Sequence, residues 1–581
     1  MLLLGNEAVE FASREMSISS FWEPALPTSA RRVLLVLVLF WLIGTLAFWH
    51  WALQPSVWVT VPGTLLNLLL LLYITGIPVW PFYLFLRMSQ VRADLPVPSG
   101  MRVAMVVTKA PSEPWPLVKR TLLAMLQQQP VHDTWLADEQ PTEAVRSWCA
   151  QNGVQISSRS GVPEYHRLQW PRRTGCKEGN LAYFYDQFGY LNYDVVVQLD
   201  ADHVPQPGYL TAMLQPFHDP EVGYVAAPSI CNANASRSWV ARGRLFAEAS
   251  LHGPMQLGWN THWAPLCIGS HYAVRTEALR SAGGLGPELA EDHSTTLLLN
   301  ANGWRGAFAH RAICLGLGPE TFEDAMVQEF QWSRSLTTIL LRHLPPLFLK
   351  LPPLLRIQFI YAQVFYPLRG MLSLAALLLP VFALILDHPW IQVLYPVFLA
   401  FSALQMLLTL LPIVHLRRCG LLRPNDVPLL SWEQSLFELS RGPWVLFGVV
   451  RAVVEWLWPR PITFHITRKG SATSPLPLRF LSPYLIAVLV GVLAIVSMAD
   501  SSRFAKGYVL LTLVTTAMFS FTALVVAYLS YRQARTSVSI HLPHIALAGG
   551  AMALTVFCAL WQWPLLFVPF QQPTTSFIPF R

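Results

Sequence analysis

Charged side chains are scarce in this sequence. Asp, Glu, Lys and Arg make up 13% of its 581 residues, whereas soluble domains carry about 25%. Hydrophobic residues, by contrast, account for 53%. This balance excludes an ordinary soluble protein and predicts a membrane protein with one polar insert. The first residues, MLLLGNEAVEFASRE, lack a basic start and a small-residue cleavage site, so we predict no signal peptide.

Paired cysteines and nucleic-acid motifs are missing as well. The seven cysteines show no spacing of the kind that binds zinc, and they suggest no disulfide scaffold. The formal net charge is +8, but most of it lies in arginines beside apolar runs, without a basic–aromatic motif. We therefore interpret the charge as information on membrane topology and expect no nucleic-acid partner.

Long apolar runs predict about seven spans of a lipid bilayer, whose hydrocarbon core is ~30 Å thick. The runs occupy residues 33–53, 57–86, 359–386, 391–414, 481–499, 508–530 and 543–563. The link between the first two runs contains no Lys or Arg, whereas their outer ends are flanked by Arg31, Arg32, Arg87 and Arg92. The positive-inside rule therefore places the N-terminus and the polar insert in the cytoplasm, and seven spans put the C-terminus outside.

Residues 95–345 form the polar insert. They hold most of the acidic residues, with strands predicted at 101–108, 154–157, 195–199 and 224–227 and a helix at 117–129. Such alternation predicts a parallel sheet covered by helices. The fold class is thus an α/β domain inserted in an α-helical polytopic membrane protein.

The remaining boundaries follow from the apolar runs. Prolines and basic residues in 344–358, and charged residues spaced through 431–458, favour helices that lie in the membrane interface. We divide the chain into an N-terminal cytoplasmic or interfacial segment, two transmembrane helices, the polar insert, interfacial helices with two transmembrane helices, a proline-flanked loop and three C-terminal transmembrane helices, at 1–30, 31–94, 95–345, 346–458, 459–475 and 476–581.

Two aspartates follow the buried strand VVVQL at 195–199. Alternate residues of an extended chain face the same side, so Asp200 and Asp202 can point into one cleft, at the strand end where open α/β sheets bind ligands. Two carboxylates suit a divalent cation that carries a diphosphate, because Mg²⁺ prefers one or two protein oxygens plus substrate phosphates. A solvated acidic turn would have the same sequence, so the choice between a metal site and such a turn depends on the neighbouring motifs.

Four further features accompany this pair. Asp138 follows TWL where a strand would end, Lys177 opens KEGNL, Glu291 and Asp292 start a helix, and QEFQW occupies 328–332. Each has a structural interpretation too, because a lysine can be a solvated loop residue, a carboxylate can cap a helix and a tryptophan is usually core.

In this order, the features resemble those of the processive family 2 glycosyltransferases, and within them the bacterial cellulose synthases; the hyaluronan and chitin synthases belong to the same superfamily. That family carries aspartates in three motifs and a QxxRW signature on a GT-A fold between membrane helices. The stretch FHITRKG at 464–470 resembles the FxVTxKG gating loop of cellulose synthases. The resemblance covers about 100–345 and resumes at this loop, which implies a gating loop at 459–475.

The resemblance implies a donor site for a UDP-sugar. Either Asp138 or Glu139 would contact the uracil, and Lys177 would contact the diphosphate. Asp200 would bind the nucleotide, and Asp202, together with Asp200, would hold a Mg²⁺ or Mn²⁺ cofactor.

It also implies an acceptor site. Asp292, with Glu291 beside it, would be the general base, and Gln328 and Trp332 of the QxxRW-like signature would bind substrate, the indole by stacking on a sugar ring. Cys267 lies where the family has a small Cys-Gly-Ser segment under the acceptor. Two histidines flank the acidic motifs and are expected to be solvent-exposed spectators, His203 and His293.

The sequence departs from the family pattern at two places. TKAPSEP replaces the usual IPTYNE, and Gln331 replaces the signature arginine. Two substitutes for the missing positive charge are considered: Arg334, roughly on the same helical face, and Lys469, with Thr467 as a hydrogen-bonding partner, in a loop that closes over the donor.

The resemblance thus implies an inner-membrane, inverting glycosyltransferase of a bacterium. It would transfer sugar, glucose by default, from a UDP-sugar to a growing β-glycan and translocate the polymer, with periplasmic export subunits as possible partners. A β-1,3-glucan, chitin or hyaluronan product stays open, as does a non-processive transferase acting on a lipid carrier. The alternative from another class is a transporter or scaffold with an inactive transferase domain.

Overall fold

The computed structural model describes residues 21–58, 60–391, 395–459, 476–498, 504–534 and 538–570. The strands within these ranges are β1 (Trp22–Pro24), β2 (Ser89–Val91), β3 (Val103–Lys109), β4 (Asp133–Asp138), β5 (Gln155–Ser157), β6 (Val195–Leu199), β7 (Val204–Pro205), β8 (Val222–Ala226), β9 (Ser229–Ile230), β10 (His271–Arg275), β11 (Arg305–Phe308) and β12 (Cys314–Leu315).

The α-helices of the same ranges are α1 (Thr28–Ala52), α2 (Val61–Gly76), α3 (Val79–Phe85), α4 (Trp115–Leu126), α5 (Glu143–Gln151), α6 (Lys177–Phe184), α7 (Tyr190–Asn192), α8 (Tyr209–Leu214), α9 (Trp239–Glu248), α10 (Gln256–Trp259), α11 (Thr276–Ser281), α12 (Glu291–Ala301), α13 (Phe322–Thr338), α14 (Leu344–Leu347), α15 (Pro353–Ile385), α16 (Tyr395–Arg418), α17 (Trp432–Ser440), α18 (Gly442–Leu457), α19 (Ser482–Val496), α20 (Tyr508–Ala534) and α21 (Val538–Trp561).

A seven-stranded sheet forms the centre of the polar insert, in the order β11-β8-β10-β6-β3-β4-β5. The strands from β6 to β5 pair in parallel. β10 runs antiparallel to both of its neighbours, β6 and β8. The expectation of a parallel sheet is therefore wrong, because one strand returns through the middle of the sheet in the opposite direction.

Two hydrophobic cores cover the faces of this sheet. Along β3, Met105 and Val107 pack into the core that contains α4, whereas Ala104 and Val106 pack into the core that contains α6. Every residue of β3 and of β6 is buried. Burial on both faces explains why the two strands have continuous apolar sequences rather than alternating ones.

A second, three-stranded sheet lies beyond the end of β6 and holds the segment that follows Asp200. Its order is β7-β12-β9, with β12 antiparallel to β7 and parallel to β9. Because the partner strands come from residues 229–230 and 314–315, they fix the acidic motif from two distant parts of the chain.

Six helical segments of the described residues are long and apolar enough to cross a membrane: Thr28–Ala52, Val61–Phe85, Pro353–Ile385, Tyr395–Arg418, Phe504–Gln533 and Leu542–Trp561. They indicate a multi-pass membrane protein. The run predicted at 481–499 forms α19, which has only 15 residues. At 1.5 Å per residue α19 is about 22 Å long, shorter than the ~30 Å hydrocarbon core.

The two segments predicted to lie in the interface are each divided. Within 344–358, α14 ends at Leu347, and the long helix α15 already begins at Pro353. Within 431–458, α17 and α18 are separate helices, and α18 packs closely on α13. A methyl group on Gly448 of α18 would lie 2.5 Å from the carbonyl oxygen of Phe330, so a glycine at this position permits the approach.

Candidate active site

Asp200 and Asp202 lie directly beyond β6, as predicted from the strand. The backbone N–H of Asp200 donates to the carbonyl of Ser270 at 2.8 Å, which ties the motif to the segment before β10. The N–H of Leu317 donates to Oδ2 of Asp202 at 3.0 Å. Donor atoms of Asp200, Asp202 and His203 all lie within 4.8 Å of one another.

This donor set fits a divalent cation. Carboxylate oxygens are the ligands that Mg²⁺ prefers, and Mn²⁺ suits the same donors. Nδ1 of His203 lies 3.5 Å from Oδ1 of Asp202. Burial alone would lower the pKa of His203, but the Asp202 carboxylate outweighs burial and raises it to about 10. The two aspartates are the expected ligands, because carboxylate oxygens suit a hard divalent cation better than an imidazole nitrogen does.

The expectation that the two flanking histidines are solvent-exposed is wrong. His203 is 3% exposed and His293 is 6% exposed. The ring of His293 packs edge-on against Phe359 of α15, and its Nε2 lies 3.4 Å from Nε2 of Gln363. Burial lowers the pKa of His293 to about 4, so this side chain is a neutral contact between the polar domain and a membrane helix.

Lys177 stands at the first turn of α6 and joins the acidic motif to the segment before β10. Its Nζ donates to Oδ1 of Asp200 at 2.8 Å and to the carbonyl of Gly269 at 2.6 Å. Burial would lower the pKa of Lys177, but the carboxylates of Asp200, Glu291 and Asp292 outweigh it and raise the pKa. A charged lysine is thus held among three carboxylates.

Glu291 and Asp292 form the first turn of α12. Oε2 of Glu291 accepts a hydrogen bond from the hydroxyl of Tyr272 at 3.0 Å. Asp292 lies beside Gly269, because a methyl group added to Gly269 would be 3.2 Å from Oδ2 of Asp292. Burial raises the pKa of both carboxyl groups, and the positive charge of Lys177 opposes the rise. The structure therefore brings together Lys177, Asp200 and Asp292.

Asp138 and Glu139 form ion pairs that the sequence did not reveal. Nζ of Lys109 lies 3.1 Å from the fully buried Asp138, and the buried Arg159 lies 2.5 Å from Glu139. Lys109 comes from the segment TKAPSEP, which departs from the family pattern. The register of β3 and β4 opposes Lys109 to Asp138, so a pairing of the two parallel strands would have predicted the contact.

The residues of QEFQW lie on α13, where Gln328, Gln331 and Trp332 are all half-buried. Arg244 of α9 donates from Nη1 to Oε1 of Gln328 at 2.9 Å, and its guanidinium carbon lies 4.4 Å from the centroid of Trp332. Sequence reasoning missed Arg244, because the contact depends on how α9 packs on α13.

Arg334 lies where α13 packs on α18. Its Nε and Nη2 donate to the two carboxylate oxygens of Glu455 at 2.7 and 2.9 Å, so it binds α18 rather than the group around Lys177. Thr467 and Lys469, and with them the stretch FHITRKG, lie outside the described residues.

Comparisons with known proteins give a family match and several relatives of low identity. The family model described as "Glycosyl transferase family group 2" matches residues 195–412. A "Cellulose synthase catalytic subunit [UDP-forming]" of Xanthomonas axonopodis is 25% identical over 263 residues, 43% of this chain and 34% of the relative. "Cellulose synthase 1" of Komagataeibacter xylinus is 29% identical over 180 residues, 29% of this chain and 11% of the relative. The chain thus spans about a third or less of the length of these relatives.

Solved structures are more distant. A mannosyltransferase from Pyrobaculum calidifontis, solved with GDP-Man and Mn²⁺, has a TM-score of 0.40 and 16% identity, covering 67% of this chain and 97% of that one. Glucosyl-3-phosphoglycerate synthase from Mycobacterium tuberculosis, solved with Mn²⁺ and UDP, has a TM-score of 0.24 and 18% identity, covering 38% of this chain and 72% of that one.

The mixed sheet and the six long apolar helices thus occur in a chain whose residues 195–412 match the family 2 glycosyltransferases, which indicates a membrane protein related to that class. The chain is also related, at 25–29% identity over the matched segments, to catalytic subunits of bacterial cellulose synthases.

Proposed function

We propose that this protein is an inverting, UDP-sugar-dependent hexosyltransferase that extends a β-glycan, with glucose as the default sugar. The observation that carries the proposal is the cluster in which Lys177 bonds to Asp200 and to the carbonyl of Gly269, with Asp292 against the same glycine. Acidic metal ligands, a cation for phosphates and a buried base are the three groups that such a transfer needs.

The chemistry follows from these side chains. The acceptor hydroxyl oxygen attacks the anomeric carbon of the donor as the bond from that carbon to the diphosphate oxygen breaks. The hydroxyl proton moves to Asp292, since a hydroxyl is a poor nucleophile until a positioned base takes its proton. Direct attack on the face opposite the leaving group inverts the configuration, so an α-linked UDP-sugar yields a β-linkage.

The leaving UDP gathers negative charge, which Lys177 is placed to stabilise in a partly buried site. Asp202 and Asp200 would hold the Mg²⁺ or Mn²⁺, which supplies further charge stabilisation to the diphosphate when bound. Asp138 or Glu139 would contact the uracil, Gln328 the substrate, and Trp332 the acceptor sugar. Gln331 would lie near the diphosphate, and Thr467 and Lys469 would contact the donor when their loop closes.

The proposal includes a cytoplasmic location for the transferase domain in the bacterial inner membrane and export of the polymer through the membrane helices. Arginines at the outer ends of the first two apolar runs support this orientation. Partners of this chemistry are the UDP-sugar, the growing polysaccharide, the lipid bilayer and periplasmic export subunits.

The test is to incubate the purified protein with a panel of UDP-sugars and Mg²⁺ or Mn²⁺, measuring UDP release and then the linkage and length of any product. We expect UDP release with one UDP-hexose and a β-linked polymer. An Asp292→Asn variant serves as the background. Absence of UDP release with every donor would overturn the proposal, and a single sugar on a lipid would replace it with the non-processive alternative.

A further inference from the structure

A chain of polar groups runs from the acidic motif to Trp332. It starts at His203, whose Nε2 lies 3.4 Å from Oγ of Ser229. The backbone N–H of Ser229 donates to Nδ1 of His252 at 3.4 Å, and Nε2 of His252 lies 3.5 Å from Glu248. Because Nδ1 of His252 accepts this hydrogen bond, a ring hydrogen on Nε2 faces the Glu248 carboxylate.

Arg244 forms the last link. Its Nε donates to Oε1 of Glu248 at 3.0 Å, its Nη1 donates to Gln328 at 2.9 Å, and its guanidinium carbon lies over the ring of Trp332, 4.4 Å from the centroid. The side chains of Arg244 and Glu248 are only 14% and 22% exposed. Burial would raise the pKa of Glu248, but Arg244 and His252 outweigh it and lower the pKa to about 2. The carboxylate is therefore ionised and anchors the guanidinium.

These contacts fix the indole of Trp332 in orientation. Arg244 covers one face of the ring, so a sugar ring can stack only on the other face. A planar guanidinium with three simultaneous contacts has little freedom, and its anchor, Glu248, is linked through His252 to strand β9. That strand pairs in the same small sheet as β7, which directly follows the acidic motif.

We propose that Arg244 is a positioning residue for the acceptor sugar: held by Glu248, it sets the ring plane of Trp332 relative to the acidic motif. The inference rests on the proposed function. It adds Arg244, which lies outside the recognised motifs, to the residues that serve this function. The physical reason is that transfer needs the attacking oxygen within about 3–3.5 Å of the anomeric carbon, and a small displacement of the acceptor slows the reaction strongly.

The variant that tests it is Arg244→Gln combined with Glu248→Gln. Both charges are removed together, so no lone buried charge is left to unfold the protein. The same helix offers a matched control, because Arg242 forms an equivalent ion pair with Glu433 of α17 at 3.0 Å. Arg242→Gln with Glu433→Gln removes that pair without touching Trp332.

The measurement uses the UDP-hexose on which the wild-type protein releases UDP, with the sugar radiolabelled. Free sugar and polymer-bound sugar are separated, and inhibition by UDP reports donor binding. We expect the ratio of polymer-bound to free sugar to fall about tenfold in the Arg244/Glu248 variant, with unchanged inhibition by UDP and shorter products. The Arg242/Glu433 control is expected to match the wild type.

An unchanged ratio in the Arg244/Glu248 variant would overturn the inference. So would an equal fall in the control, or a parallel loss of UDP inhibition, since each would indicate a general structural effect. A wild-type protein that releases no UDP from any donor would instead overturn the proposed function, which keeps the two failures distinguishable.

Discussion

Burial controls the protonation of Asp292. Its carboxyl group stands in the first turn of α12, near Lys177, Glu291 and Asp200 and next to the buried, neutral His293. Asp292→Asn retains the shape of the side chain but cannot take a proton. We expect turnover to fall by at least ~100-fold, the loss typical of a positioned general base, with inhibition by UDP nearly unchanged. Single-turnover kinetics check this, and a loss of binding without a loss of chemistry would reassign Asp292 as a substrate contact.

The raised pKa of Asp292 gives a pH dependence with a definite sign. The base works only when it is ionised, so turnover falls as the pH drops through its pKa. Because burial raises that pKa above the ordinary value of an aspartate, the loss begins at a higher pH than for an exposed carboxyl group. A single-turnover pH profile measures the acidic limb. A limb at the ordinary aspartate pKa would contradict the burial argument.

Asp202 is the most buried carboxylate of the acidic motif, at 2% exposure. We expect Asp202→Asn to abolish sugar transfer while membrane insertion and expression persist, because an amide is a weaker ligand for a hard cation. Turnover measured across a Mg²⁺ and Mn²⁺ titration checks this. Wild-type turnover of the variant at low metal concentration would remove Asp202 from the metal site.

At the scale of single elements, the backbone after β12 shapes the metal motif. A methyl group on Gly316 would lie 2.3 Å from ring atoms of His203, and the next residue, Leu317, bonds to Asp202. We expect Gly316→Ala to displace the imidazole and to raise the metal concentration needed for half-maximal activity by ~10-fold or more, as for other residues that support metal ligands.

The control for that substitution is Gly549→Ala, where a methyl group meets no atom within 4 Å. It should leave the metal titration unchanged. If Gly316→Ala behaves in the same way, the packing of Gly316 against His203 has no part in metal binding.

Elements also show what the sequence could predict. The strand β6 was predicted with its observed bounds, because a buried run that ends in two aspartates is a strong local signal. The direction of β10 could not be predicted in the same way. The sequence HYAVR suits a parallel and an antiparallel strand equally well, and only the pairing with β6 and β8 determines its direction. Likewise, the contact of Arg244 with Trp332 arises from the packing of two helices, which leaves no local sequence signal.

At the scale of the whole molecule, the contacts at the two ends of α19 indicate whether this short helix is a further membrane crossing. Just before this helix, Arg479 pairs with Glu323 of the transferase domain at 3.2 Å. After α19, the N–H of Ala505 donates to Oδ1 of Asp387 at 3.0 Å. Asp387 follows the end of α15 that points away from the transferase domain. The short helix therefore leads from one side of the helical bundle to the other.

The next two helices return and cross again. Gln533, near the end of α20, bonds to the carbonyl of Glu320 in the transferase domain, and Gln562, after α21, bonds to the carbonyl of Met498 at 3.4 Å. On this path we predict seven crossings, with α19 as a short one added to the six long helices.

We expect the C-terminus to lie on the side opposite the transferase domain, in the periplasm. Alkaline phosphatase fused there should be active and green fluorescent protein dark, whereas fusions to the loop at 425–428, between α16 and α17, should show the reverse. An active phosphatase at both positions would mean that the transferase side is not cytoplasmic, and fluorescence at both would limit the protein to six crossings.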